Sequence, residues 1–582
     1  MKQNPVNHRS RIRDSIIILL SAIGLMACIA VFFPQVSGMI MDLAEQIVHK
    51  KASTYQSWLK ALVTYAMGGI FFILVFDYCT LTKSGRLLVQ QVKQEMKDCL
   101  SEIDLKVFLK PLVLMFVVYL LGALTIIRAN IPYLDDMGRS VAGYRDWYGW
   151  SRYVSELLSI FIHGDTHLTD ISPVPQLLAV LILSVGSVLL VYVIGNKKIT
   201  PVRLLASVPL GLSPYFLDCL AFKFDAPYMA LSILASIVPF LFIARKKAFI
   251  FCSVISLLIM CTTYQASSGI YVLITMILCF QNWNSRQQSN KEILSFLGTA
   301  AVAFCFAMAL FRFFLMKPAD YYTSTAMHPI AQIVSGTLKN INRYAMSINH
   351  DLGMIWKIGI AIVLFFFILK SLLGSMQKKI FSFFVSIAMI GLSFVLSFGA
   401  YLLLAIPLYD ARAMYGFGVF LSIFCVYVVS GYKKPAIVAV LALNWCFFVF
   451  AFSFGNALAD QARYADFRIS LLLHDLSVLY PNRSIEDMRF QLKNSIDYAP
   501  SVTNIAKHYP IIEKLVQKRL GEETCWDTFY FLDYFNFGNY RTNNAADENF
   551  IDFSTLNLPV VADSYYHTIQ SDGNRVLVVL KH

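Results

Sequence analysis

Charge is scarce in this chain. Only 15% of its 582 residues are Asp, Glu, Lys or Arg, while 57% are hydrophobic, where a water-soluble domain carries roughly 25% charged residues. A soluble globular fold is thereby excluded, and the composition is that of an integral membrane protein. Nucleotide-cradling loops are also missing: no G-x-x-x-x-G-K-[ST] and no G-x-G-x-x-G after a strand occurs, so nothing in the sequence prepares a site for a nucleotide phosphate. Cysteine is nearly absent from the polar segments. Of the eleven cysteines, most lie inside apolar runs (Cys252, Cys261, Cys279, Cys305, Cys425, Cys446) and the polar C-terminal region has only Cys525, which excludes a disulfide framework there. The first apolar stretch, 15–33, follows a basic front (Arg9, Arg11, Arg13) but lacks a small-residue cleavage site, so it reads as an uncleaved span rather than a secretory signal. No internal repeat is evident, which counts against a transporter built from duplicated halves.

What is present is a series of apolar runs about the length that crosses a bilayer. Thirteen candidate spans can be marked, at 15–33, 58–77, 109–128, 174–194, 203–217, 227–244, 248–263, 268–281, 294–315, 354–373, 381–405, 413–431 and 436–453. With the N-terminus cytoplasmic, every second connection is basic (Lys83/Arg86/Lys93/Lys97, Lys197/Lys198, Arg245/Lys246/Lys247, Arg286/Lys291, Lys378/Lys379, Lys433/Lys434), as the positive-inside rule demands. His49 to Lys51 goes against it. The net charge of +13 is accounted for by these clusters, and no nucleic-acid groove is needed. Within 84–106, Leu88, Val92, Met96 and Leu100 recur at helical spacing among lysines, which predicts a helix lying on the inner surface. The scheme divides the chain into an N-terminal transmembrane hairpin with this surface helix (1–108), a transmembrane core (109–453) and a C-terminal soluble α/β domain on the outer face (454–582), the last ending in a hairpin across Ser571–Asn574.

One outer loop, 129–172, gathers chemistry. Its stretch NIPYLDDMGRSVAGYRDWYGWSRY holds Asp135 and Asp136 where the third span leaves the membrane, with Arg139, Arg145 and Arg152 close by. A carboxylate at that edge is pulled upward in pKa by desolvation and downward by guanidinium, conditions under which it can take a proton from a sugar hydroxyl. The arginine forks match phosphate oxygens, and Tyr144, Trp147, Tyr148, Trp150 and Tyr153 offer flat faces to a sugar ring. An interfacial aromatic belt with self-satisfied ion pairs gives the same composition, and both readings stand at this stage. His163, Asp165 and His167 in HGDTH could ligate a metal or form a solvated loop. Asp225, the run Tyr264-Gln265, and Arg412 beside Asp410 fall at outer span ends, where turns and ion pairs are equally at home.

The run Asn130-Ile131-Pro132-Tyr133 with Asp135-Asp136 and Gly138-Arg139, then Gly143-Tyr144, Trp150 and Arg152, then Leu168 to Pro173 with Pro175-Gln176, resembles the serotype-converting O-antigen glucosyltransferases of enteric bacteria and their phages. Pro214 to Leu217, Phe224-Asp225 with Pro227, Tyr264 to Ser267, and Gly455 to Leu476 extend the similarity over roughly 109–480. The resemblance implies a polytopic GT-C glycosyltransferase fold in the bacterial inner membrane. It also implies a polyprenyl-phosphate sugar donor, with glucose the expected sugar, and a lipid-linked polysaccharide acceptor at the periplasmic face. Asp136, ahead of Asp135, would be the general base, with the other aspartate orienting it or binding a divalent cation (Mg2+ or Mn2+). Arg139, Arg145, Arg152 and Arg412 would hold the phosphate, and Tyr133, Tyr144, Trp147, Trp150, Asp170, Asp225, Tyr264 and Gln265 the sugar or acceptor. Attack opposite the leaving phosphate gives inversion. Two departures stand out: the loop follows the third span rather than the first, and Ser151-Arg152-Tyr153 replaces an expected Gly-Arg-Pro. A polysaccharide polymerase or ligase is the neighbouring alternative. A flippase or transporter would place ionisable groups deep in the spans, whereas nearly all acids here sit at span ends or in loops.

Overall fold

A computed structural model of the chain describes residues 73–317, 325–431, 434–481, 488–520, 530, 534–535, 541–542 and 551–581. The expected span 15–33, and 58–77 up to residue 72, lie outside this range. Among the described residues eight helices are long and apolar enough to cross a membrane: Leu105–Ala129, Val174–Ile194, Lys246–Thr263, Gln265–Asn284, Asn290–Leu315, Met354–Leu373, Lys379–Leu396 and Lys434–Leu479. The protein is a polytopic helical membrane protein.

Four expected spans differ in detail, each for a local reason. The run 203–217 is a broken pair, Pro201–Leu212 and Pro214–Ala221, bent by 61°. Pro214 cannot donate to the helix before it and drives Ser213 into extended backbone (ψ 146°). The run 227–244 is α-helical only over Ala226–Ile237 and tightens to a 3-10 helix over Val238–Phe242, with Pro239 at the change. Gly416–Val429 has 14 residues, all buried, about 21 Å at 1.5 Å per residue. It is a core helix shorter than a full crossing. The run 436–453, by contrast, is only the first part of Lys434–Leu479, 46 residues without a break, so the boundary placed at 454 falls inside one helix.

By contacts the chain forms two compact units. In the first (1–103, 242–258, 301–316), the helix expected within 84–106 runs Lys83–Ser101, its N-terminus capped by the Thr82 hydroxyl accepting from the Gly85 N–H. Glu95 accepts from the N–H groups of Lys247 and Ala248, both at 3.0 Å. A carboxylate thereby satisfies the free donors at the start of the helix Lys246–Thr263. Leu87, Leu88 and Val89 stay exposed on the helix surface.

In the second unit (104–241, 259–300, 317–582), Leu105–Ala129 packs closely on Lys434–Leu479. The contact is set by Gly455. A Cβ there would lie 2.3 Å from Thr125 Oγ1 and 2.5 Å from its carbonyl carbon, and Thr125 Oγ1 donates to the Ala451 carbonyl at 3.1 Å. Small residues let helix backbones approach in this way. The far end of the long helix carries the C-terminal sheet, of strand order β2-β1-β5-β4-β3, with β1 Arg489–Lys493, β2 Arg541–Thr542, β3 Val560–Asp563, β4 His567–Ser571 and β5 Arg575–Leu580. β1 runs parallel to β5, and β4–β5 is the expected hairpin, with Ile569 opposite Val578. Ile469, Leu472 and Leu476 of the helix form one apolar cluster with Phe490, Ile569 and Val576. Arg468, nearly fully buried, donates to the carbonyls of Tyr566 and Lys581 at 2.9 and 2.6 Å.

Gly455→Ala forces two backbones apart, so it should cost about 1–3 kcal/mol, the usual range for overpacking. Gly298→Ala, whose Cβ meets nothing within 4 Å, should be neutral or slightly stabilising. Thermal unfolding of the two variants in detergent measures the difference, and equal melting temperatures would contradict this packing.

Candidate functional site

The loop 129–172 begins where Leu105–Ala129 ends on Asn130, held in the left-handed region (φ 45°), a conformation that asparagine tolerates. A short helix, Asp136–Ala142, follows and stops at Gly143 (φ 65°). Only glycine fits there. A Cβ would strike the His167 ring at 2.0 Å, and the Gly143 carbonyl accepts from the Leu168 N–H at 2.9 Å. This bond folds the second half of the loop back on the first.

Asp136 is completely buried. Its Oδ2 accepts from the Tyr133 N–H at 3.1 Å and the Lys223 N–H at 2.8 Å, while Oδ1 has no hydrogen-bond partner among the described residues. Burial pushes its pKa up to about 8, against the downward pull of those N–H groups and of Arg139 and with a further push from Asp225. Burial thus favours the neutral carboxyl over the carboxylate. Asp135, immediately before it, is only partly buried. The two acids therefore differ: one is locked into the fold, the other is reachable.

Arg139 projects from the same helix into a buried cluster. Its Nη2 is 3.6 Å from Asp225 Oδ2, and its guanidinium lies over the Trp147 ring at 4.1 Å. Trp147 is itself fully buried, donates through Nε1 to Asp225 Oδ1, and meets Tyr228 edge-on. Arg139 Nε and Nη1 are buried with no partner among the described residues, an expensive state that a bound anion would relieve. Asp225 sits at the N-terminus of Ala226–Ile237, where its charge is favoured. Arg145 pairs with Glu156 at 3.3 Å, and Glu156 also accepts from the N–H groups of Trp147 and Tyr148. Arg152 lies over the Tyr264 ring at 4.5 Å, with its Nε buried and without a partner among the described residues. Gln265 Nε2 donates to the Trp150 carbonyl at 3.2 Å.

The residues singled out from sequence thus fall into two groups. Arg139, Trp147 and Asp225 make one connected cluster beside Asp136, and Trp150, Arg152, Tyr264 and Gln265 make a second. Asp170 is more exposed and is held by Lys223 Nζ at 2.7 Å. Burial raises its pKa, but hydrogen bonds from Lys223 and Ser172 outweigh this and leave it below the usual carboxylate range. Tyr133 is buried and its hydroxyl is occupied by Asp218 Oδ1 at 2.6 Å and the Leu515 carbonyl at 2.8 Å. Arg412 reaches Asp410 at 3.2 Å and lies over Phe222. Trp147, Tyr133 and Tyr264, all at 3% exposure or less, offer no open face to a sugar. Tyr144 and Trp150, partly exposed, still do. In HGDTH, Asp165 accepts from the backbone of Thr166 and His167, the pattern of a capped surface turn. No group of three His, Cys, Asp or Glu among the described residues could hold a metal ion, so these side chains alone provide no three-ligand set for Mg2+ or Mn2+.

Several contributors were not marked from sequence. Lys223 and Asp218 sit beside or within apolar runs, and a charge in such a place is itself a signal. Glu156 gave none, since only the folded loop reveals its three partners. A cavity of about 590 Å³ opens next to the loop, between Asn130, Pro132 and Met137 on one side and Arg463, Asp466 and Arg519 on the other.

Residues 124–423, just over half of the chain, match the family described as Glucosyl transferase GtrII. The chain belongs to the GtrII glucosyltransferase family. It is also 22% identical over 433 residues to an uncharacterized 55.3 kDa protein in the gtrB 5′ region of Salmonella phage P22, covering 70% of this chain and 87% of that one. No solved structure matches significantly. The GtrII match includes the Asp135–Asp136 loop, the Asp225 turn, Tyr264-Gln265 and Arg412. Family membership makes this membrane protein a glycosyltransferase, with a sugar donor and an acceptor as its two substrates.

The raised Asp136 pKa has a thermodynamic consequence. Between its ordinary value near 4 and about 8, the folded chain keeps a proton that the unfolded chain releases, so this group costs stability progressively as pH rises through that window. Asp136→Asn keeps the shape of the protonated acid and removes the titration. Its melting temperature relative to wild type should therefore climb from pH 5 to pH 8.5, and a gap that stays constant with pH would contradict the assignment.

Proposed function

We propose that this chain transfers a sugar, glucose by family, from a polyprenyl-phosphate donor to a lipid-linked surface polysaccharide such as O-antigen. It would act at the periplasmic face of the bacterial inner membrane on a GT-C scaffold. The observation that carries the reading is the loop's pairing of a reachable carboxylate, Asp135, with buried arginine N–H groups that have no partner among the described residues on Arg139 and Arg152. The absence of any nucleotide-cradling motif supports a lipid-borne donor, and the alternation of basic connections supports a periplasmic loop.

In this mechanism Asp135 accepts the proton of the acceptor hydroxyl as its oxygen attacks the anomeric carbon. The bond from that carbon to the phosphate oxygen breaks with inversion. The electron pair leaves on polyprenyl phosphate, and Arg139 and Arg152 stabilise the charge that develops there, a contribution that is commonly the largest in such reactions. The geometry favours Asp135 over Asp136 as base, the reverse of the order expected from sequence. Asp136 is enclosed and hydrogen-bonded to two backbone stretches, so it positions the loop. Tyr144 and Trp150 remain as platforms for the sugars, and the cavity beside Asn130 and Arg463 is a place for the acceptor.

The test is transfer from polyprenyl-phosphate glucose in nanodiscs, normalised to folded protein. Asp135→Asn should lower turnover about 10²- to 10⁴-fold while donor still binds. Arg139→Lys, which keeps the charge but loses the fork, should weaken donor binding as well as rate. Wild-type turnover in Asp135→Asn would remove Asp135 as base, and efficient use of a UDP-sugar without lipid would remove the lipid-donor mechanism.

A further inference from the structure

Cations also gather at the other end of the same helical unit. Val174–Ile194 starts at the outer loop and, over 21 residues, carries the chain about 30 Å away from it. There it ends together with Ser268–Asn284, Met354–Leu373 and Gly416–Val429 around a cavity of about 560 Å³. Lys198, Arg203 and Lys370 line this cavity, and none of its described lining residues is a carboxylate.

Neutralising helix C-termini explains part of this arrangement. Arg203 Nη1 donates to the Gly195 and Lys198 carbonyls at 2.9 and 2.7 Å, and Lys370 Nζ donates to the Tyr427 carbonyl. It does not explain the hollow itself, although Gln281 and Asn284, which also line it, share in the capping: Gln281 Nε2 donates to the Ile194 carbonyl at 3.3 Å and Asn284 Nδ2 to the Ser371 carbonyl at 2.9 Å. Phe366, Leu369 and Leu373 add apolar lining from the same helix that carries Lys370. Leu373 is 58% exposed on a helix apolar enough to span the membrane, so the hollow joins a cationic floor to a surface that faces hydrocarbon.

We propose that this cavity binds the phosphate headgroup of an anionic membrane lipid, its acyl chains leaving past Leu373. Basic pockets between spanning helices suit such headgroups. This end also carries the basic connections Lys197/Lys198 and Lys378/Lys379, so the lipid belongs to the leaflet that they face. The site is separate from the outer loop and does not depend on the reaction assigned to it.

Free phosphate shares the headgroup chemistry, and the experiment separates the two sources. The full chain is reconstituted with phosphatidylcholine alone or with phosphatidylglycerol added, and retained lipid is read by native mass spectrometry after extraction. Wild type should keep one phosphatidylglycerol in preference to phosphatidylcholine. Lys370→Met and Lys198→Glu should each lower that retention at least about fivefold, the worth of one lysine near an anionic surface. Lys339→Glu, on an exposed position elsewhere, should not. Lys198 is exposed, so its variant remains informative if Lys370→Met fails to fold. Equal retention in wild type and Lys198→Glu overturns the proposal. Displacement of the lipid by millimolar inorganic phosphate, with equal thermal stabilisation, assigns the cavity to a free ion and overturns the lipid.

Discussion

The first residue of a two-turn helix, Asp136, directs its carboxylate to the backbone of Tyr133 and, 87 positions further along the chain, of Lys223. Almost everything else in the loop 129–172 is arranged by that tie. It holds the turn at 222–225 against the loop, so that Lys223 Nζ meets Asp170 and Asp225 meets both Trp147 and Arg139. A carboxyl group taken out of water is costly unless it is hydrogen-bonded or neutral; Asp136 is hydrogen-bonded and pushed toward its neutral form. The residue that links the segments must stay buried, which leaves its neighbour Asp135 to face whatever enters.

The same division recurs among the aromatic rings. Trp147 is a pillar whose two polar contacts, Nε1 to Asp225 and its face to Arg139, fix the direction of the guanidinium. An arginine held in this way keeps its remaining N–H groups aimed without the rotamer entropy a free side chain would lose on binding. Precision in such a loop comes from residues that never touch a substrate. Arg152, stacked on Tyr264, repeats the arrangement on a smaller scale.

Much of this architecture was legible in the sequence. Run length located most of the described spans, and the turn Ser-Asp-Gly-Asn located the β4–β5 hairpin. Where the reading differed, a proline or a packing environment intervened. Pro214 breaks one expected span, and Gly416–Val429 is apolar because it is buried on every side, a composition that span counting cannot tell from a lipid-facing helix. The site was half legible. Short-range clustering picked out Asp135, Asp136 and Arg139, but the order expected for the two carboxylates, Asp136 before Asp135, had no view of burial, which is decided by Lys223 and Asp225 far along the chain. Trp147 read as a sugar platform for the same reason: an aromatic ring in a polar loop gives no sign of which face is covered.

The unbroken helix Lys434–Leu479 has a consequence for how the C-terminal sheet can change over time. About 70 Å long, it exceeds the ~30 Å hydrocarbon thickness more than twofold, and it carries the Thr125 contact at Gly455 and the sheet contact at Ile469, Leu472 and Leu476 on one rigid rod. Its two contact faces are therefore in fixed phase. Inserting one residue between them would rotate the sheet by about 100° around the axis, whereas inserting a multiple of a turn would only raise it. Loops around the sheet are free to vary in length, but the shaft beneath it can change only in steps of whole turns.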